Sequence, residues 1–313
     1  MPDSAVGWLS LHLDLAHQGS GWAEIYGSEA DQVLLEVVAP AVGDLADELS
    51  GFFFIRYRDP QGHVRLRLRL HPDRHERARE VVNGAVAAYN RTARLTRVAR
   101  VRKEVYQPEV DRYGGTIGVG IAEGVFEASS VLVLDTLRLV AASHDRTALR
   151  IGHAAAGLLI HAACLTTEAG ATPLLRTLER YEHTHLRSRM NSTDAAEVGD
   201  RYGRLAQGES GLLDQLRLIG SVASQPDALP EPLSPAAARL VRARDELQFA
   251  ADHGRISFSE GAASPSSFAL PRLASSYIHM HLNRLGVPPV VEVLACRLVA
   301  AALATEAPSG AIA

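Results

Sequence analysis

Phe52-Phe53-Phe54-Ile55-Arg56-Tyr57-Arg58-Asp59-Pro60-Gln61-Gly62-His63-Val64-Arg65-Leu66-Arg67-Leu68-Arg69-Leu70 is the stretch whose reading decides the fold. It reads as two strands around a tight turn. Pro60 presets φ, Asp59 can bond its own backbone, and Gly62 tolerates φ > 0. Beyond the turn, Val64, Leu66, Leu68 and Leu70 alternate with Arg65, Arg67 and Arg69, the period of a strand with one buried face. The other face then carries a row of guanidiniums roughly 7 Å apart. Like charges in a row are comfortable in bulk water or around a bound anion, and periodicity alone leaves both open. The apolar segments on either side point to a central hairpin, whose polar face is covered or lines a cavity.

The whole chain has 313 residues, 47% hydrophobic and 22% charged, with a net charge of −4. That is ample material for a core, and nothing in the balance points to nucleic acid. Residues 56–112 are rich in Arg and hold a single lysine, Lys103. Arg suits bidentate capture of carboxylate or phosphate, though a coding bias toward Arg accounts for it equally well. Cys164 and Cys296 each sit in an apolar helical pattern and read as buried thiols, without disulfide or zinc spacing. No signal peptide is recognisable. The apolar stretches near 151–165 and 287–304 are interrupted by His153, His161, Glu292 and Arg297, so they read as buried helices, and a cytoplasmic protein without a membrane partner is expected.

Residues 7–15 alternate and predict a first strand. Ser28 is placed to cap a helix to about Val38, Pro40 to interrupt it, and 41–49 to form a second run. Asp73 reads as the cap of a helix over 74–90, and 95–106 as a further β segment. Beyond Gly115 the pattern turns helical, over 117–142, 146–166, 173–186, 209–222, 235–253, 271–285 and 289–305. The expected fold class is α+β, as one interlocked unit over 1–313. An N-terminal sheet-and-helix portion (1–115, built on the hairpin 52–70) packs on a larger, mainly α-helical portion (116–313).

Two further constellations carry chemistry. Arg112 stands before Tyr113-Gly114-Gly115, a turn that can aim a side chain, although a salt bridge to Glu109 or Asp111 explains it as well. In Ser275-Ser276-Tyr277-Ile278-His279-Met280-His281-Leu282-Asn283-Arg284, helical spacing puts His279 and Asn283 on one face with Ser275 and Ser276. His279 is then either a satisfied structural histidine or a general acid/base. No metal cluster, phosphate loop or dinucleotide fingerprint is present in the sequence, so neither metal nor cofactor is implied.

These blocks in this order resemble the thiopeptide-type bacteriocin biosynthesis family, equivalent to the C-terminal elimination domain of class I lanthipeptide dehydratases. The resemblance rests on Trp8-Leu9-Ser10-Leu11-His12-Leu13, on Phe54 to Pro60 with His63-Val64-Arg65-Leu66-Arg67, on Glu109 to Gly115, on Glu123 to Phe126, and on His279-Met280 with Asn283-Arg284. It covers nearly the whole chain. The glutamyl-transferring domain that precedes this region in full-length dehydratases is not in the sequence, so a stand-alone small subunit is expected.

The resemblance implies one of two activities. One is elimination of glutamate from glutamylated Ser or Thr of a ribosomally made precursor peptide, giving dehydroalanine or dehydrobutyrine. The other is the aza-[4+2] cycloaddition of two dehydroalanines that forms a thiopeptide pyridine and releases the leader peptide. By resemblance, Arg65, Arg67 and Arg112 match glutamate-handling arginines, and His279 matches the proton-transfer histidine. Arg56, His63, Tyr113, Asn283 and Ser276, in or beside the matching blocks, are the candidate substrate-binding residues. The complete set favours elimination, while Ser129 stands where the family often has Asp. A non-catalytic peptide-binding role is the third class. The expected partners are a precursor peptide with leader and core, a separate glutamyl-transferring large subunit, and a second copy of the chain. An exposed sheet edge is suited to take a leader segment as an added strand.

Overall fold

The computed structural model describes residues 6–16, 26–59, 61–168, 170–186, 192–208, 210–258 and 263–304. The chain is α+β and divides into two compact units that interleave in sequence. One comprises Met1–Pro108, Ser129–Leu139 and Asn283–Gly286; the other comprises Glu109–Ala128, Val140–Leu282 and Val287–Ala313.

The first unit holds an antiparallel sheet of β1 (Gly7–Leu15), β2 (Gly51–Arg58), β3 (Gly62–Leu70) and β4 (Val98–Glu104), in the order β2-β3-β1-β4. The hairpin read from the sequence is β2 and β3, with Arg58 opposite Gly62; Pro60 of its turn lies outside the described residues. On one face Leu9, Leu11, Leu13, Leu15, Phe52, Phe54, Val64, Leu66, Leu68 and Leu70 are all buried. They form the core of this unit with the apolar positions of α1 (Ser28–Val33), α2 (Ala39–Asp44) and α3 (His75–Thr92).

Three local signals were misread. Gly27, not Ser28, is the N-cap of α1, and no side chain caps it. Pro40 does not break the helix. Leu34–Val38 forms a π turn between α1 and α2, and Pro40 occupies the first turn of α2. Widening the backbone there accommodates a ring that cannot donate to the ladder. Asp73 is not a cap either: its N–H donates to the His71 side chain, and a short 3-10 turn leads into α3.

The second unit is helical. Its elements are most of α4 (Gly115–Ala142), α5 (Arg146–Leu165), α6 (Ala171–Tyr181) continuing into a π turn at Glu182–Leu186, α7 (Ser192–Gly208), α8 (Ser210–Val222), α9 (Leu233–Asp252), most of α10 (Ser266–Leu285) and α11 (Pro289–Ala304). α5 and α11 pack on each other and on α8, and they form its centre. α7 was not foreseen, because Gly199 and Gly203 and a weak apolar stripe hide its periodicity. α10 begins before Pro271, which sits inside it. Cys164 and Cys296 are buried free thiols, as expected. α4 and α5 are long and apolar enough to cross a membrane, and their most apolar windows are 56% and 67% buried within the protein.

Arg56 ties the sheet unit together. It lies on the apolar face of β2 and is buried. Its Nη2 donates to Asp31 Oδ1 at 2.7 Å and its Nε to the Arg284 carbonyl at 2.8 Å. The Asn283 side chain brackets its backbone, accepting from Arg56 N–H at 3.1 Å and donating to Arg56 C=O at 3.0 Å. Gly286, at φ 72°, makes room: a Cβ there would stand 2.7 Å from the guanidinium carbon. Removing one partner of a buried ion pair strands the other. Asp31→Ala is therefore expected to cost about 3–5 kcal/mol in a urea titration; a loss under about 1 kcal/mol would refute this role.

Candidate anion site on the sheet

The second face of the sheet is polar by register. Ser10 stands opposite Arg67, His12 opposite Arg65, and Asp14 opposite His63. On the far side of β1, Ser10, His12 and Asp14 face Glu104, Arg102 and Arg100. Alternation of side chains across the pleat puts these groups on one surface.

Arg67 is the residue that sets this face apart. It is only 6% exposed. Its Nε and Nη1 are buried and meet no hydrogen-bond acceptor among the described residues. The guanidinium carbon lies 5.4 Å from the ring centre of Tyr106. Tyr106 also packs edge-on against Trp8 and Phe53 at 5.6 and 5.9 Å. Burial, and then the charge of Arg65, pull its pKa down to about 10. The Ser10 hydroxyl across the strand pair is likewise buried and without a partner among the described residues. An unsatisfied buried polar group is costly and rare in native folds. Two of them, directly opposite and both able to donate, form a site for an acceptor.

The surrounding groups raise the positive potential. Arg65 stacks 3.4 Å over Tyr57 and donates to His63 Nε2 at 3.1 Å. Arg69 is half-buried and donates to Ser50 at 3.2 Å. His12 and His63 stack at 4.9 Å. Both are held neutral, first by burial; for His12 the arginine charges, Arg67 foremost, add to this and bring its pKa to about 3. Asp14 is consumed by the structure: Arg102 holds it at 2.8 and 3.0 Å, and Arg100 at 3.0 Å. Burial works against that carboxylate, but the arginine hydrogen bonds outweigh it and keep it below its usual range. It is thus not available to Arg67. Ser10, His12, Asp14, Arg100 and Arg102 were absent from the sequence-derived site. Their signal was the polar half of the alternating strand 7–15, and its meaning depended on which strands pair with it.

Other candidates are placed as follows. Arg56 and Asn283 belong to the sheet unit and are engaged with one another, as described. Arg112, Tyr113, Ser276 and His279 belong to the helical unit. Arg112 pairs with Glu109 at 3.1 Å, the salt bridge weighed from sequence, while its Nε reaches Ser276 Oγ at 3.4 Å. Gly114 and Gly115 take φ of 83° and 97° in the turn that follows. Tyr113 is buried and stacks on Tyr277 at 5.9 Å. His279 stacks on His185 at 4.6 Å with the rings 7° from parallel. Ser129 is buried; beside it the Ser130 hydroxyl accepts from Phe54 N–H at 3.2 Å.

Two stability measurements check this site. Arg67→Leu removes a buried charge that has no ion-pair partner among the described residues, so the melting temperature should hold or rise; a fall of several degrees would mean that the guanidinium is structural. For His12, above pH 6.5 the ring is neutral folded and unfolded. Below it the unfolded chain binds the proton first, so stability falls as pH drops from 6.5 toward about 3. His12→Gln should flatten that slope by up to one proton in denaturant titrations across this range; an unchanged slope contradicts the assignment.

Comparison with known proteins places the chain. The family model for the lantibiotic biosynthesis dehydratase C-terminal region matches residues 22–303. The nisin biosynthesis protein NisB of Lactococcus lactis subsp. lactis is 28% identical over 103 residues, which is 32% of this chain and 10% of NisB. The chain therefore spans only a small part of that relative. Three solved structures share the fold at 19–20% identity. The pyridine synthase TbtD from thiomuracin biosynthesis has a TM-score of 0.66, with 96% of this chain and 98% of that one covered. The tRNA-dependent lantibiotic dehydratase MibB from Microbispora sp. 107891 has 0.63, with 97% and 29% covered. TsrL has 0.62, with 98% and 100% covered. With a match running through both units, the chain belongs to the lantibiotic biosynthesis dehydratase C-terminal family.

Proposed function

We propose that this protein is a peptide-maturation enzyme that eliminates glutamate from glutamylated Ser or Thr side chains of a ribosomally made precursor peptide. The observation that carries this reading is the buried Arg67, which lacks an acceptor among the described residues and faces the equally unpaired Ser10. A glutamyl group brings the carboxylate that such a guanidinium lacks, and Arg takes carboxylates bidentately. Arg65 adds charge beside it, and Arg112 is the third glutamate-handling arginine by resemblance.

The chemistry asked of the protein is modest in kind. The Cα–H bond of the modified residue breaks and its proton goes to a base; His279 is that base by resemblance. The Cβ–O bond breaks, the electron pair leaves with the glutamate carboxylate, and a Cα=Cβ bond forms. The developing enolate needs a fixed positive charge, which arginines in a dry site supply without reorganising. The glutamylated peptide is the product of a separate glutamyl-transferring protein, and the chain acts in the cytoplasm.

A second reading, closure of a thiopeptide pyridine from two dehydroalanines, is favoured by the likeness to TbtD over 98% of that protein. The two separate by co-product. Purified protein given glutamylated peptide should release free glutamate and leave dehydroamino acids, read by mass. Arg67→Ala should slow this on the order of 10²–10³-fold and let glutamylated peptide accumulate. Normal elimination by Arg67→Ala overturns the carboxylate assignment. Conversion of a bis-dehydroalanine substrate to a pyridine with released leader, and no glutamate from the esterified one, establishes the second reading instead.

A further inference from the structure

The strongest feature outside the sheet is a chain of contacts that ends on His279. α6 closes in the π turn Glu182–Leu186, which carries His185, and wide turns of this kind recur at functional sites. His185 lies face to face with His279 of α10, 4.6 Å between ring centres and 7° from parallel. Behind it Tyr181, which is fully buried, packs against the His185 ring at 5.3 Å. The Tyr181 hydroxyl in turn donates to Glu292 of α11, only 1% exposed. Cys296, one turn further along α11, has its thiol pushed well up by burial and by Glu182 and Glu292.

This is an expensive thing to build. Burying a carboxylate and a phenol side by side costs desolvation that apolar residues of the same volume would not. Leu294, Leu298 and Val299 on the same helix are buried and apolar. A polar brace retained in such a core fixes a geometry rather than adding stability. Here the geometry it fixes is the plane of His185, and through the stack the plane of His279. A base must meet a Cα–H along its nitrogen lone pair, and an imidazole free to turn about χ2 spends much of its time misaligned.

We infer that His185 is a positioning residue for His279: its ring, held by the Tyr181–Glu292 hydrogen bond, locks the His279 imidazole in the orientation that proton transfer requires. The inference rests on the elimination reading above, in which His279 moves the α-proton. It needs no proton to pass between the two rings, which meet by their faces and not by their nitrogens.

The test is steady-state elimination of glutamylated peptide, with thermal melts to check folding. His185→Ala removes the stack and should lower kcat on the order of 10–10²-fold with KM little changed. His185→Phe keeps a flat ring there and should restore most of kcat. Tyr181→Phe cuts the tie to Glu292 and should lower kcat by a smaller factor, again without moving KM; it carries the test if His185→Ala does not fold. Wild-type kcat in His185→Ala, or in a folded Tyr181→Phe, overturns the inference. So does a His185→Phe enzyme as slow as His185→Ala, since that result would give His185 a proton to carry. In each of these cases the wild-type enzyme still eliminates glutamate, and the proposed function stands. A wild-type protein that leaves glutamylated peptide unchanged overturns the proposed function, and this inference with it.

Discussion

A guanidinium whose buried Nε and Nη1 meet no acceptor among the described residues is the constraint on which the sheet unit turns. Arg67 could have been matched by a carboxylate. Asp14, on the same face, is instead held by Arg100 and Arg102. Glu104 pairs with Arg102. Acidic groups on this face are thus satisfied by the outer strand β4, while the inner strand β3 keeps its charge uncancelled. His12 and His63 stay neutral and so add no charge of their own. The result is a fixed positive potential in a partly dehydrated setting, where an incoming anion is bound far more strongly than in water.

Holding that arrangement still falls to the opposite face. Leu9, Leu11 and Leu13 on β1 and Val64, Leu66 and Leu68 on β3 are packed to near-zero exposure, and slipping β3 by one residue would turn Arg65, Arg67 and Arg69 into the core. The hairpin register is further pinned from β2, where the Asn283 amide clasps the Arg56 backbone and the Arg56 side chain closes on Asp31. Arg56 and Arg67 are both buried arginines of one hairpin, yet the first is held by Asp31 and the Arg284 carbonyl while Nε and Nη1 of the second meet no acceptor among the described residues. That contrast is what the proposed carboxylate role of Arg67 rests on.

How far this was legible in the sequence depends on range. The alternation of Val64 to Leu70 fixed a strand and a polar face from local pattern alone, and the α+β class followed from the change of period after Gly115. The site required more. That Ser10 would face Arg67 depended on β1 inserting between β3 and β4, a long-range pairing invisible to periodicity. That Arg56 would be consumed by Asp31 and by the Arg284 carbonyl depended on contacts 25 and 228 residues away. The helix over Ser192–Gly208 was hidden because Gly199 and Gly203 lower its local propensity. His185 went unremarked because its meaning lies in the ring it stacks on.

The central claim is that the Arg67–Ser10 site exists to receive a carboxylate. A crystal structure of the protein grown with L-glutamate tests it most directly. A glutamate carboxylate is expected about 2.7–2.9 Å from Arg67 Nε and Nη1, with Ser10 Oγ donating to the same group. Glutamate bound elsewhere, with Arg67 turned onto a protein carboxylate or carbonyl, would contradict it.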